Sequence, residues 1–279
     1  MLKSTIVLIA LAIWSAESLA LTNSTRDESV EWTPVVQIKS EAPDSTGESL
    51  PGYCNATFIA KNILVTAAHC VKLAYISKDT KLNIQTGYYK YVTRPDGQVV
   101  RIGYVPKEKF DKHINIEFPK SLSDKIAKKG EKAQIGPDED FALLWWEEST
   151  PEIEGMIESQ FVTKLEHAEI VKNIKNYPFK VVSINMFSVS TLDYKRSGDL
   201  SVVKWNNGYI HSKSLVRVEE GDSGAPVFVK INNKMKIFAV VKGRASTVFD
   251  NWDVYPAVNP HLCTLNKKMP STMLLQSCL

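Results

Sequence analysis

Ser223 stands between two glycines and behind an acid, in Glu220-Gly221-Asp222-Ser223-Gly224-Ala225-Pro226. A serine hydroxyl is a poor nucleophile at neutral pH and attacks a carbonyl only with a base beside it. The glycines let the backbone turn closely without a Cβ clash. Such a turn can aim the N–H groups of Gly221 and Ser223 at one point, where an oxyanion would sit. By itself the segment is also an ordinary surface turn. Two upstream stretches supply what the chemistry lacks. Leu64-Val65-Thr66-Ala67-Ala68-His69-Cys70 offers His69, an imidazole that titrates near neutral pH. Asp140-Phe141-Ala142-Leu143-Leu144 offers Asp140, a carboxylate able to hold such an imidazole in one tautomer. Asp138 is the near rival for that role.

Thr-Ala-Ala-His-Cys, then Asp-x-Ala-Leu-Leu, then Gly-Asp-Ser-Gly, in that order, resembles the trypsin/chymotrypsin family of serine peptidases. The resemblance covers most of the chain after about residue 30. It implies a Ser223–His69–Asp140 triad, an oxyanion hole from the Gly221 and Ser223 N–H groups, and an acyl-enzyme. The Ala-Leu-Leu that follows Asp140 selects it over Asp138. The fold implied is all-β: two six-stranded antiparallel barrels with the active site in the cleft between them. The first would span about 32–147 and the second about 160–260, with a C-terminal tail over 261–279.

Specificity is where the chain departs from the family. Arg217 occupies the position, six residues before the nucleophile, that forms the floor of the primary pocket. It would repel Lys or Arg and could pair with Glu or Asp. Asp253, before Val254-Tyr255, stands where the family has a glycine. It either neutralises Arg217 or binds a basic side chain itself. Lys242 replaces the serine that normally supports the catalytic aspartate, and Gly243-Arg244 follow it. Glu219 stands where the pocket's usual disulfide begins. Arg217, Lys242 and Arg244 together lean the preference towards an acidic residue before the scissile bond. The competing reading is an internal Arg217–Asp253 salt bridge over a shallow pocket, since single buried charges are costly.

The family also buries a free N-terminus against the acid before its nucleophile, here Asp222. Leu21 lies thirteen residues before Pro34, close to the family's spacing. Residues 1–20 read as a signal peptide: Lys3, an apolar run from Ile6 to Trp14 too short to span a bilayer, and small residues at Ser18 and Ala20. Cleavage after Ala20 would release the Leu21 amine directly. The alternatives are a loose tail over Leu21 to Glu31, or a short propeptide cut after Arg26. Four cysteines in an exported chain point to two disulfides. The resemblance favours Cys54–Cys70, which leaves Cys263 with Cys278.

The 279 residues suffice for one large domain or two small ones. A net charge of +3 with dispersed lysines argues against a nucleic-acid partner. The expected partners are protein or peptide substrates, with no membrane anchor once the signal is removed and a monomer as the default. His113, His167, His211 and His261 lack metal-ligand spacing, so no metal or other cofactor is expected. Asn23-Ser24-Thr25 and Asn55-Ala56-Thr57 fit the glycosylation pattern.

Alternating or apolar runs predict strands over Pro34 to Lys39, Thr57 to Thr66, Tyr91 to Thr93 and Gln98 to Tyr104. Arg94-Pro95-Asp96-Gly97 is a turn signal between the last two. In the second half strands are expected over Val181 to Ile184, Leu200 to Trp205, Tyr209 to His211, Val227 to Ile231 and Met235 to Val241. Turns are expected at Asn206-Asn207-Gly208 and Asn232-Asn233. Ser121 to Lys129 reads as a helix with a solvated lysine face. The 71 residues from His69 to Asp140 are longer than the family's usual span, with extra length between about Lys72 and Pro137. Trp145 to Gln160 reads as the connection between halves. The function expected is a secreted or periplasmic serine endopeptidase. The alternative is a non-catalytic homologue that binds a partner.

Overall fold

The structure is a computed structural model. It describes residues 21–27, 29–32, 34–43, 49–60, 62–77, 81–93, 95, 99–110, 114–147, 159–184, 195–246, 251–270, 275 and 278. The expected signal segment, most of the Arg94–Gly97 turn, His113 and most of the connection after Trp145 lie outside the described residues.

The chain is mostly β, in three antiparallel sheets. The first half supplies β2 (Val35–Pro43), β3 (Ser49–Ala60), β4 (Ile63–Thr66), β5 (Lys81–Thr93), β6 (Val99–Phe110), β7 (Asn115–Glu117) and β8 (Ala142–Trp145). They form one seven-stranded sheet in the order β6-β5-β2-β3-β4-β8-β7. The second half builds a five-stranded sheet from β9 (Phe179–Ile184), β10 (Lys195–Leu200), β13 (Pro226–Ile231) and β14 (Lys234–Val240), with β1 (Thr25–Arg26) added at the edge of β10. The remaining strands, β11 (Val202–Asn206), β12 (Tyr209–Ser212), β15 (Gly243–Ser246) and β16 (Asn251–Pro256), form a four-stranded sheet. Among the described residues four α-helices, α1 (Ala68–Ile76), α2 (Lys120–Lys129), α3 (Lys164–Lys172) and α4 (Asn259–Asn266), cover the sheets.

The mostly β character expected is present, and among the described residues no sheet closes into a barrel. Among the described residues the five- and four-stranded sheets share one isolated β-bridge, Ala239↔Ala257. Pro256, at the end of β16, has no N–H with which to extend that ladder.

Alternating side chains explain the packing. Successive strand residues point to opposite faces, and β4 is buried on both. Leu64 faces one core with Phe58, Leu144 and Trp146, which α1 and α2 close with Val71, Leu122 and Ile126. Ile63 and Val65 face the opposite core, shared with Phe141, Leu143, Phe228, Ile237 and α4's Leu262. That second core is the layer between the halves. The far side of the five-stranded sheet packs Val227, Val229 and Phe238 against Tyr255 of the four-stranded sheet.

The expected strand over Thr57 to Thr66 is instead two, β3 and β4, turning at Asn62 so that Ala60 pairs with Ile63. The two strands expected around residues 91–104 belong to a far longer hairpin, β5–β6. Asn232 and Asn233 have φ of 49° and 62°, the left-handed values that a two-residue hairpin requires. The lysine-rich helix is present as α2. Lys120 pairs with Asp124 on its surface, and Lys125 reaches Glu139 at 2.5 Å. Helices α1, α3 and α4 are additional to the helix expected over Ser121 to Lys129. Both disulfides form, Cys54–Cys70 and Cys263–Cys278. Among the described residues no helix is long and apolar enough to cross a membrane.

Candidate active site

His69 and Asp140 meet because of strand register. β4 runs antiparallel to β8, with Thr66 opposite Ala142. The residues just after β4 therefore lie beside those just before β8. α1 begins at Ala68, directly after β4, and no side chain of the preceding residue caps it. An N–H in the first turn of a helix has no intrahelical acceptor. Asp140 fills the gap from the neighbouring strand. Its Oδ1 accepts the His69 backbone N–H at 2.9 Å, and its Oδ2 contacts His69 Nδ1 at 2.8 Å. Asp138 does not compete: it is exposed, and its carbonyl contacts His261 Nε2 at 2.6 Å.

Asp140 is fully buried. Burial opposes its ionisation, but the hydrogen bonds and charge of His69, with the charge of Lys242, hold it below its ordinary 3.8. The balance is plausible in magnitude. Desolvating a carboxylate costs several kcal/mol, while hydrogen bonds to charged groups are worth roughly 1.5–3 kcal/mol each. Asp140 has three: two from His69 and one from Lys242 Nζ, at 3.0 Å on Oδ2.

Ser223 sits in a double turn. Asp222 N–H donates to Glu219 O and Ala225 N–H to Asp222 O. Gly221 and Gly224 have φ of 96° and 78°, backbone that side chains adopt only at a cost. The N–H groups of Gly221 and Ser223 have no acceptor among the described residues, as an oxyanion hole requires. The Ser223 hydroxyl donates to the Lys242 carbonyl at 3.5 Å. It makes no hydrogen bond to His69, whose Nε2 lies 3.8 Å from Cys70 Sγ. Catalytic hydrogen bonds are often unmade before substrate binds.

A buried amide that sequence reading missed fixes this loop. Asn55, next to Cys54 on β3, donates its backbone N–H to Ser223 O at 2.7 Å and its Nδ2 to Gly221 O at 2.8 Å. Its Oδ1 accepts Ile184 N–H, and Nδ2 also reaches Ser183 Oγ. Asn55 is 0% exposed, so the glycosylation pattern at that position is a core residue in the folded protein. A Cβ on Gly224 would lie 2.1 Å from Asn55 O and 2.2 Å from Thr66 Oγ1. Gly224→Ala is therefore expected to cost about 3–5 kcal/mol, from left-handed strain plus overpacking. Urea denaturation measures it; a loss under about 1 kcal/mol would mean the loop is not seated this way.

Asp222 points away from Ser223 and is fully buried. Its Oδ2 accepts Leu21 N–H at 2.9 Å and Glu219 N–H at 2.7 Å, and its Oδ1 accepts Ser183 Oγ–H at 2.6 Å. Burial still outweighs these bonds and raises its titration to about 6. Leu21 is itself buried in the second-half core. The residues after it are tied down: Arg217 N–H donates to Thr22 O, Asn23 Nδ2 to Leu215 O, and Arg196 holds Ser24. The structure thus brings together the expected activation pair.

The expected pocket residues divide. Asp253 on β16 lies directly opposite Arg244 on β15. Its Oδ1 is 3.6 Å from Arg244 Nε, and its Oδ2 is 3.9 Å from Arg217 Nη1 and 3.4 Å from the Val218 N–H. Burial raises the titration of Asp253, against the Val218 N–H and the two arginines. Arg244 also bonds Glu219 and the Val218 carbonyl. Lys242 does not join this group. A buried carboxylate attracts its ammonium instead, which sits on Asp140 Oδ2 and 3.3 Å from Ile135 O.

Of the other histidines, His167 is stacked on Phe238 and His261 on Phe141, and burial lowers the titration of both. His211 lies buried in β12. The sulfurs of Cys54 and Cys70 lie near His69, within a 4.8 Å cluster, but they are bonded to each other rather than available as thiolates.

Neither the models of known protein families nor the curated proteins include a match to this sequence. The chemistry is therefore argued from the residues and their geometry.

Proposed function

We propose that the protein is an exported serine endopeptidase. The observation that carries the reading is the buried Asp140 carboxylate gripping both the ring and the backbone of His69, beside a nucleophile loop with two uncommitted N–H groups. In this mechanism the Ser223 hydroxyl swings from the Lys242 carbonyl towards His69 Nε2. Its oxygen bonds the peptide carbonyl carbon while its proton passes to His69. The Gly221 and Ser223 N–H groups stabilise the oxyanion. His69 then gives the proton to the leaving amine as the C–N bond breaks. A water, deprotonated by His69, hydrolyses the ester and restores Ser223. The two disulfides fit an oxidising compartment. The finer arrangement we propose is the two-barrel one. The seven-stranded sheet would be the first barrel, opened, and the other two sheets, joined at Ala239↔Ala257, the second.

The proposal extends to an acidic preference before the scissile bond. Both oxygens of Asp253 face arginines, which leaves it a poor partner for a substrate lysine. Among the described residues the Arg217 side chain makes one ion-pair contact, 3.9 Å to Asp253, and its Nη1 has no hydrogen-bond partner. Arg217→Gln is expected to reduce cleavage after Glu or Asp by roughly 10- to 100-fold, the worth of a charged hydrogen bond. A cleavage profile on a mixed peptide library measures it. Cuts after Lys or Arg by the unaltered chain would overturn the preference.

A second reading, a non-catalytic binding homologue, has one observation in its favour: Ser223 is bonded to Lys242 and not to His69. A fluorophosphonate probe distinguishes the two. Covalent labelling at Ser223, located by mass spectrometry, is expected of the peptidase. A folded chain that never labels would sink that reading.

A further inference from the structure

Lys242 touches both ends of the candidate triad. Its carbonyl accepts the Ser223 hydroxyl at 3.5 Å, and its ammonium lies 3.0 Å from Asp140 Oδ2. That oxygen is the one His69 Nδ1 contacts at 2.8 Å. Backbone bonds hold the lysine there. Lys242 N–H donates to Val254 O, while the adjoining Val241 exchanges bonds with Gly224 and Ala225 of the nucleophile loop. One buried carboxylate therefore serves two partners, an ammonium and an imidazole ring.

We propose that Lys242 is a positioning residue that holds Asp140 and sets, through its positive charge, the pH at which His69 becomes a free base. The inference rests on the serine-peptidase reading for its catalytic consequence, though the coupling itself does not. With His69 neutral, Lys242 and Asp140 form a balanced pair. With His69 protonated, two cations share one anion. The ammonium thus opposes the imidazolium and releases its proton at lower pH. Among the described residues, the other charged groups around the site are engaged elsewhere. Lys72, on α1 beside His69, bonds the carbonyls of Glu131 and Ala133. Lys125 of α2 neutralises Glu139, next to Asp140. His261 of α4 stacks on Phe141 and contacts the Asp138 carbonyl. From the nucleophile loop, Asp222 is turned inward to Leu21, Glu219 and Ser183. Among the described residues Lys242 is the one cation besides His69 in contact with Asp140.

The test is an NMR pH titration of the His69 ring in the full chain, assigned by its loss in His69→Gln, beside the pH dependence of fluorophosphonate labelling. Lys242→Met and Lys242→Gln remove the charge; Lys242→Arg keeps it. In the neutral variants the midpoint of the His69 signal is expected to rise by about one pH unit, the usual size of a neighbouring-charge effect. The acid limb of labelling should rise with it, and both should stay at the wild-type position in Lys242→Arg. Either neutral variant suffices if the other fails to fold, as judged by thermal unfolding. An unmoved His69 midpoint overturns the inference whatever Ser223 does. An equal shift in Lys242→Arg also overturns it, because charge would not be the cause. A shifted midpoint in a chain that never labels leaves the coupling standing and removes the peptidase reading instead.

Discussion

Ser223→Ala is expected to lower peptide hydrolysis by about 10⁴- to 10⁶-fold and to abolish fluorophosphonate labelling, without unfolding the protein. The loss is large because no other group in the site can form the acyl-enzyme. The fold should survive because the hydroxyl makes a single long bond, 3.5 Å to Lys242 O, and the loop is held by its main chain, Asn55 and Asp222. A stability change within about 0.5 kcal/mol is expected for a side chain so loosely tied. His69→Ala should cost nearly as much activity, and the double variant little more, since nucleophile and base act as one unit. Steady-state rates beside a urea curve for each variant check this. Hydrolysis that persists in pure Ser223→Ala protein would end the assignment of Ser223.

The second large effect belongs to Leu21. Its N–H reaches Asp222 in a site where burial lifts the carboxyl to about 6, above an ordinary 3.8. An acid raised on folding favours the folded state only while protonated. Its contribution is complete below pH 3.8 and is lost as the pH climbs through about 6. A chain with residues still joined ahead of Leu21 should therefore weaken across that window, by on the order of 3 kcal/mol. Cleavage after Ala20 would replace the amide with a charged amine. The carboxylate then has a counter-ion, and the weakening should vanish. Breaking such a buried pair typically costs about 3–5 kcal/mol. Denaturation from pH 3 to 8 compares a form beginning at Leu21 with one carrying an extra alanine. The extended form should also label far more slowly, because Asp222 shares the loop that aims the Gly221 and Ser223 N–H groups. Identical stability and labelling in the two forms would show that the amine does nothing.

These effects attach to residues that the sequence exposes unevenly. Thr-Ala-Ala-His and Asp-x-Ala-Leu-Leu were legible because each couples a reactive residue to a strand buried on both faces, and pairing of those strands sets the distance. The Asn232-Asn233 hairpin was legible because few residues tolerate its backbone. Asn55 was not: a buried amide and a glycosylation acceptor look alike until burial is known. Lys242 reads as a pocket residue because its neighbours in sequence belong there, yet its long side chain follows the nearest buried charge. α3 did carry a signal in Thr163-x-x-Glu166, a capping box that forms as such. The open sheets were beyond reach, since strand periodicity says nothing of which edges meet.

Asn55 has a consequence for the order in which the chain acquires its properties. It belongs to the first half, yet its bonds run to Gly221, Ser223 and Ile184 of the second. The nucleophile loop is held by Val241 and Ser183 within its own half, and gains the Asn55 bonds only when the two halves dock. If Ser223 acts as proposed, a molecule whose halves have not yet docked could be cut by a neighbour but could not cut one.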